Sequence, residues 1–252
     1  MSAEHTPARR VSDFVGTLID LLDRVEYRRV DPRHQSDPVY KLRYEAYRRE
    51  EFIPMNSSEL VHDEFEDLPN AHCYGIYIDG ALVSSLRFHY LSRDNPISPS
   101  QSVFPDVLNP LIEANETMID PGRFTADLDA TLAYPALPFL TLRIAVMATY
   151  HFKVRHCLST VRPEHVAFYR RVFNSTELAA ARYYHGLRFP MVLYSCNVPV
   201  VYPRLLERYP FFSSTAEERA ALFDPVGPGR IPLIRPSVRQ AIGEAATLGE
   251  IA

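Results

Sequence analysis

Tryptophan is missing from this 252-residue chain, glycine occurs only nine times and cysteine three times. Each scarcity narrows the chemistry. There is no GxGxxG and no GxxxxGK[ST] run, so the glycine-built loops that cradle nucleotide phosphates are absent. No HExxH occurs, and Cys73, Cys157 and Cys196 stand far apart without a CxxC pair. That pattern argues against a structural zinc site, a zinc hydrolase and a disulfide framework. No stretch approaches the ~18 consecutive apolar residues of a membrane helix. A formal net charge of -4 has the wrong sign for a general nucleic-acid binder. Residues 1–10 are polar, so no secretory signal is expected. The expected setting is reducing and cytoplasmic, with contact at the inner-membrane surface left open. What is present is an ordinary globular composition, 46% hydrophobic and 23% charged, sufficient to bury a sizeable core.

Local patterns predict a mixed α/β (α+β) fold on one sheet. Ser12 stands as the N-cap of a helix in which Phe14, Leu18, Leu21, Leu22 and Val25 recur at helical spacing. Residues 31–37 read as a proline-broken linker. Asp37-Pro38 then starts a helix reaching about residue 52, with Arg43 and Tyr47 one turn apart. Residues 73–78 and 81–91 form strands joined by Asp79-Gly80, a strong hairpin signal. Residues 54–69 and 95–110 read as loops. Residues 116–124 are extended and broken at Pro121-Gly122. A long apolar helix over 137–152, a strand over 156–161 and a helix from Pro163 through 173 follow. A strand over 191–201, ended by Pro199, precedes short helical pieces from Pro203 onward and a final helix over 238–248. The expected division is 1–36, 37–202 and 203–252.

Four charged clusters lie beside apolar runs in the first half: Arg43 with Tyr47, Asp63-Glu64-Phe65-Glu66, Arg87, and Asp120-Pro121-Gly122-Arg123. Arginines and carboxylates at the edge of a core are costly unless they pair or meet a ligand, so they point to a zwitterionic small molecule. Neighbouring carboxylates raise one another's pKa and an adjacent arginine lowers it, a balance suited to accepting a proton. The break at Pro121-Gly122 would free backbone amides to polarise a carbonyl. The plain alternatives are solvated helix pairs, a polar loop and a turn closed by a salt bridge. Later, Lys153, Arg155, His156, Arg162, His165, Arg170 and Arg171 concentrate positive charge in an acidic protein, suggesting an acidic partner.

In this order and spacing the residues resemble the acyl-homoserine-lactone (autoinducer) synthases. The resemblance is nearer to the long-chain N-acyl amino acid synthases, a related branch of the GNAT acyltransferase superfamily. The matching segments are Leu42-Arg43-Tyr44-Glu45-Ala46-Tyr47, the acids Asp63 and Glu66 around Phe65, Arg87, and Asp120 three residues before Arg123. The stretch Val161-Arg162-Pro163-Glu164-His165-Val166-Ala167-Phe168-Tyr169 is similar to the N-acyl amino acid synthase branch in particular. Glu66 stands where Asp is commoner, Asp120 where Glu is usual, and the loop tryptophan is absent.

The resemblance implies a GNAT-like fold, with a mixed sheet, a splayed strand pair and helices on both faces. It also implies amide-forming transfer of a fatty acyl group to the α-amino group of an amino acid. The donor would be the acyl-phosphopantetheine of acyl carrier protein, with acyl-CoA as the alternative, and no bound cofactor or metal is expected. Asp120, Arg123, Arg87, Glu66, Asp63 and Arg43 would serve catalysis, with Arg123 fixing Asp120. Tyr47, Phe65 and Glu116 would contact substrate. Lys153, Arg155, Arg162, His165, Arg170 and Arg171 would dock the carrier protein. The competing readings are an autoinducer synthase using S-adenosylmethionine, a CoA-dependent acetyltransferase, and a non-catalytic lipid-binding or carrier-docking protein.

Overall fold

In the computed structural model, which describes residues 13–184, 187–225 and 233–249, the chain opens with α1 (Asp13–Leu22) and β1 (Val25–Arg29). Val25, expected as part of the first helix, begins a strand instead. The amides of Asp23 and Arg24 fold back onto the carbonyls of Asp20 and Leu21, which turns the chain before Val25. The serine cap expected at position 12 lies outside the described residues. α2 (Pro38–Arg49) starts as its signal predicts, with the Asp37 carboxylate accepting the Val39 N–H at 3.0 Å. β2 (Ala71–Ile78) and β3 (Ala81–Leu91) form the expected hairpin. Asp79 (φ 50°) and Gly80 (φ 81°) both take left-handed backbone, the pairing whose twist matches the flanking strands.

Residues 95–110, expected as a loop, hold α3 (Pro99–Val103) and most of α4 (Pro105–Glu113). Both begin on a proline, whose missing N–H costs nothing in a first turn. Then come β4 (Met118–Ala126), α5 (Leu128–Ala133), α6 (Leu137–His151), β5 (His156–Val161) and α7 (Val166–Phe173). β6 (Thr176–Tyr183) carries no apolar alternation because it is an edge strand exposed along much of its length. β7 (Pro190–Asn197) ends sooner than expected. Pro199 sits in the first turn of α8 (Val198–Arg208), which runs across the expected boundary at 202/203. α9 (Ala216–Phe223), β8 (Leu233–Ile234) and α10 (Val238–Gly249) complete the described chain.

The eight strands of the described residues form one sheet in the order β6-β7-β5-β4-β3-β2-β1-β8. Every neighbouring pair is antiparallel except β4 and β5, which are parallel and registered only through Met118–His156 and Ile119–Cys157. Beyond Ile119 the two strands part. On one face α6 packs over Leu86, Phe88 and Ile119, each burial contributing about 1.5–3 kcal/mol. The same cluster takes in Leu18 and Leu22 of α1 and Phe211, Phe212 and Leu222 near the C-terminus, so one apolar core spans all three expected segments. Arg143, buried in α6, meets Glu218 at 2.9 Å and the carbonyls of Phe211 and Ser213, which ties the C-terminal helices to this face. On the other face α3 and α4 bring Phe104 and Leu108 against Leu91, Met118 and Leu158.

Gly75 marks a tight crossing of β2 under α2. A Cβ there would lie 2.8 Å from Tyr77 and 3.1 Å from Val39 and Leu82. Gly75→Ala is therefore expected to destabilise the fold by ~1–3 kcal/mol, the usual overpacking cost. A urea midpoint equal to that of the wild type would show that these side chains yield freely.

Candidate active site

Three segments converge where the sheet opens. α2 contributes Arg43, β3 contributes Arg87, and the turn containing residues 63–67 contributes Asp63 and Glu66. Arg43 reaches Glu66 at 2.6 Å, and Arg87 reaches Glu66 at 2.5 Å and Asp63 at 2.6 Å. Arg123 completes the chain, its Nε donating to Asp63 at 3.0 Å and its terminal nitrogen also pairing with that carboxylate. Burial alone would raise the Asp63 pKa, but the guanidiniums of Arg87 and Arg123 hold it well below the usual carboxylate range. The Cys73 thiol, 3.0 Å from Arg43, is pushed up to about 12 by burial and stays neutral. His89, which contacts the Phe65 carbonyl, is pushed down to about 3 by burial and is uncharged at neutral pH.

Arg123 does not fix Asp120, contrary to the sequence expectation. The left-handed residue at the strand break is Arg123 itself (φ 51°), and its side chain is directed to Asp63. Asp120 is buried and held by α3, accepting the Ser100 amide at 3.1 Å and the Ser100 hydroxyl at 2.6 Å. Burial raises its pKa, and the bonds from Ser100 only partly oppose that. The Ser100 hydroxyl also lies 2.7 Å from the Thr160 hydroxyl.

A cavity of about 660 Å³ threads the split, within the range of small-molecule sites. At one end it is lined by Asp63, Arg87, Arg123, Tyr47 and Phe65. It passes Gly122 on β4 and Thr160 on β5, then continues as an apolar arm along α6, α7 and α8. Arg43 and Glu66 lie behind this wall, fully or almost fully buried. Among the described residues, no group of three or more His, Cys, Asp or Glu could hold a metal ion.

The sequence model of the N-acyl amino acid synthase FeeM matches residues 38–197, more than half of the chain. The chain belongs to this family. It is an N-acyltransferase. None of the curated proteins matches it by sequence. Among solved structures, FeeM, an N-acyl amino acid synthase from uncultured soil microbes, is 14% identical with a TM-score of 0.58, covering 73% of this chain and 97% of that one. BjaI, a CoA-dependent acyl-homoserine lactone synthase solved with MTA, is 13% identical with a TM-score of 0.52, covering 73% and 89%. TofI, solved with an inhibitor and MTA, is 16% identical with a TM-score of 0.53, covering 73% and 96%. These likenesses are to the fold: a mixed sheet with a splayed central pair and helices on both faces.

Not every expected site residue of this family member reaches the cavity. Glu116 lies before β4, 3.4 Å from His156 and 3.8 Å from Arg155, at the end where β4 and β5 still pair. It does not line the cavity, so it is not placed to contact substrate there. The basic residues also separate. Lys153 and Arg155 precede β5, whereas Arg162 and His165 follow it and line the cavity; Arg170 and Arg171 occupy the last turn of α7. Arg162 pairs with Glu164 and lies 5.1 Å from the Phe52 ring and 5.5 Å from that of Phe189. Sequence reasoning missed Ser100, Thr160 and Tyr184. The signal for Ser100 was Ser98-Pro99, a cap followed by proline, which opens α3 and aims the Ser100 amide at Asp120.

Proposed function

We propose that this chain transfers a fatty acyl group from the phosphopantetheine thioester of acyl carrier protein to the α-amino group of an amino acid. The observation that carries the proposal is the cavity itself, charged at one end, apolar at the other and continuous through the split in the sheet. At the charged end two guanidiniums (Arg87, Arg123) share the Asp63 carboxylate, with the Arg43–Glu66 pair behind them, a positive surplus suited to an amino acid's carboxylate. Arg123 meets that carboxylate, and Tyr47 and Phe65 flank it. Only a neutral amine attacks a thioester. The ammonium proton passes to Asp120 through the hydroxyls of Thr160 and Ser100. The nitrogen then bonds to the thioester carbon, and backbone amides beside the break at Gly122 hold the oxyanion. Collapse breaks the C–S bond, and the nitrogen's second proton passes to the departing pantetheine thiolate, leaving a neutral amide and a thiol.

The start of α6 favours a carrier-protein donor over CoA. A helix N-terminus binds pyrophosphate with free N–H groups. Here Pro138 has none, and the amides of Leu137, Phe139 and Leu140 are already bonded to the carbonyls of Tyr134 and Ala136. Arg162 and His165 at the cavity, with Arg170 and Arg171 one helix further on, offer positive charge to an acidic carrier. Lys153 and Arg155, at the far end of β5, are too distant from this mouth to share the task.

The test is mass spectrometry of lipid extracts from bacteria expressing the chain, followed by assay of purified protein with acyl carrier protein or CoA thioesters. New N-acyl amino acids, formed faster from the carrier thioester, are the expected result. Release of methylthioadenosine from S-adenosylmethionine, or no amide from any donor, would overturn the proposal.

A further inference from the structure

The apolar arm of the cavity ends on a helix beyond the family match, which stops at residue 197 where α8 begins at Val198. We infer that α8 sets the longest acyl tail this chain accepts, with Tyr202 as the stop. The inference rests on the acyl-transfer reading above and adds a residue that selects among substrates.

α6 supplies the scale. Pro138, Leu142, Ala145 and Thr149 face the cavity at successive turns. From 138 to 149 a helix rises about 16 Å. Pro138 stands near the open end of the split. Thr149 stands at the opposite end, toward the level where Ile119 and Cys157 still pair. There Val201, Tyr202 and Leu205 of α8 line the wall. Tyr202 is only half buried, so its ring separates the cavity end from the outside. It stacks on Tyr150 with ring centres 4.9 Å apart and planes 5° from parallel. The Arg219 guanidinium in turn lies 4.4 Å from the centre of the Tyr150 ring. Two planar groups, Tyr150 and the Arg219 guanidinium, thus stack behind Tyr202 and hold it in place, and a tail longer than the arm must displace that stack or fold back on itself. Both outcomes penalise the extra methylenes, and a refused methylene is worth about tenfold in selectivity.

Two readouts on the full chain test this. The first is displacement of a cavity-bound fluorescent fatty acid by saturated fatty acids from octanoic to stearic, which needs no catalysis. The second is the chain-length profile of amide formed from the matching acyl carrier protein thioesters. Wild-type affinity should rise with length and then fall at a limit. Tyr202→Ala should move that limit to longer chains, raising affinity for the first refused length about 10-fold. Tyr150→Ala, which removes only the outer support, should move it in the same direction and by less. Val201→Trp should move it to shorter chains. A wild-type limit that neither Tyr202→Ala nor Tyr150→Ala displaces overturns the assignment of α8 while leaving acyl transfer intact. A wild type that binds no fatty acid and forms no amide overturns both.

Discussion

Glu66→Ala is expected to destabilise the folded chain by roughly 3–5 kcal/mol, the cost of removing one partner from a buried ion pair. For a protein of this size that corresponds to a fall of about 10 °C in Tm. Glu66 is the shared acceptor of two guanidiniums, and the three side chains are 2% exposed or less. Arg87 would keep Asp63. Arg43 would be left against the Cys73 thiol, which burial keeps protonated and therefore unable to balance the charge. Glu66→Gln, preserving shape without the charge, should fall between. Replacing both partners, as in Arg43→Met with Glu66→Leu, should recover much of the lost stability, since an apolar pair removes the buried charges altogether. Thermal or urea unfolding measures all three. An unchanged midpoint in Glu66→Ala would mean that water enters the cluster and screens it.

Asp120→Asn is expected to lower kcat/KM at least ~100-fold, the scale of losing a general base. The substitution is isosteric and retains an oxygen for the Ser100 hydroxyl, but its NH2 replaces the oxygen that accepts the Ser100 N–H, so a stability loss of about 1–3 kcal/mol is expected and unfolding is measured beside the rate. The pH profile identifies the role. Burial raises the Asp120 pKa above 3.8, so the wild-type rate should climb with pH as this carboxyl ionises, through a range above the ordinary carboxylate value. That limb should vanish in Asp120→Asn. Stability should move the opposite way. A carboxyl with a raised folded pKa contributes most when protonated at acid pH, and its contribution declines as pH rises through that pKa. Asn stays neutral and removes the decline. Thr160→Val deletes only the cavity-facing hydroxyl, so a loss of rate there supports the relay through Ser100. Arg87→Ala should also lose at least ~100-fold, because it removes a guanidinium from the cavity wall and the bond that ties Asp63 there to Glu66 behind it. Near-wild-type rates in both Asp120→Asn and Arg87→Ala would remove these groups from the mechanism.

How far the chain could be read without its structure depended on the range of the forces involved. The Asp37-Pro38 helix start, the Asp79-Gly80 hairpin and the extents of α6 and β5 were readable because caps, turns and apolar periods act over a few residues. The two helices over 99–113 were missed because proline was read as a breaker, although it sits in their first turns. β6 was missed because an exposed edge needs no alternation.

The order of the arginines and acids, and so the family, could be recognised along the chain alone. Their pairing could not. Arg123 lies three residues from Asp120 yet bonds Asp63, sixty positions earlier, because the left-handed turn at the strand break redirects its side chain. Asp120 meets Ser100 because α3 folds back over β4. The end of the apolar arm is formed by α8, whose first residues, 198–201, fall in the span expected as the end of a strand. Helix caps and turns are local free-energy minima, so residue order alone specifies them. Which charge faces which, and where a cavity closes, depend on strand register and packing between segments far apart in the chain, and no local period encodes either.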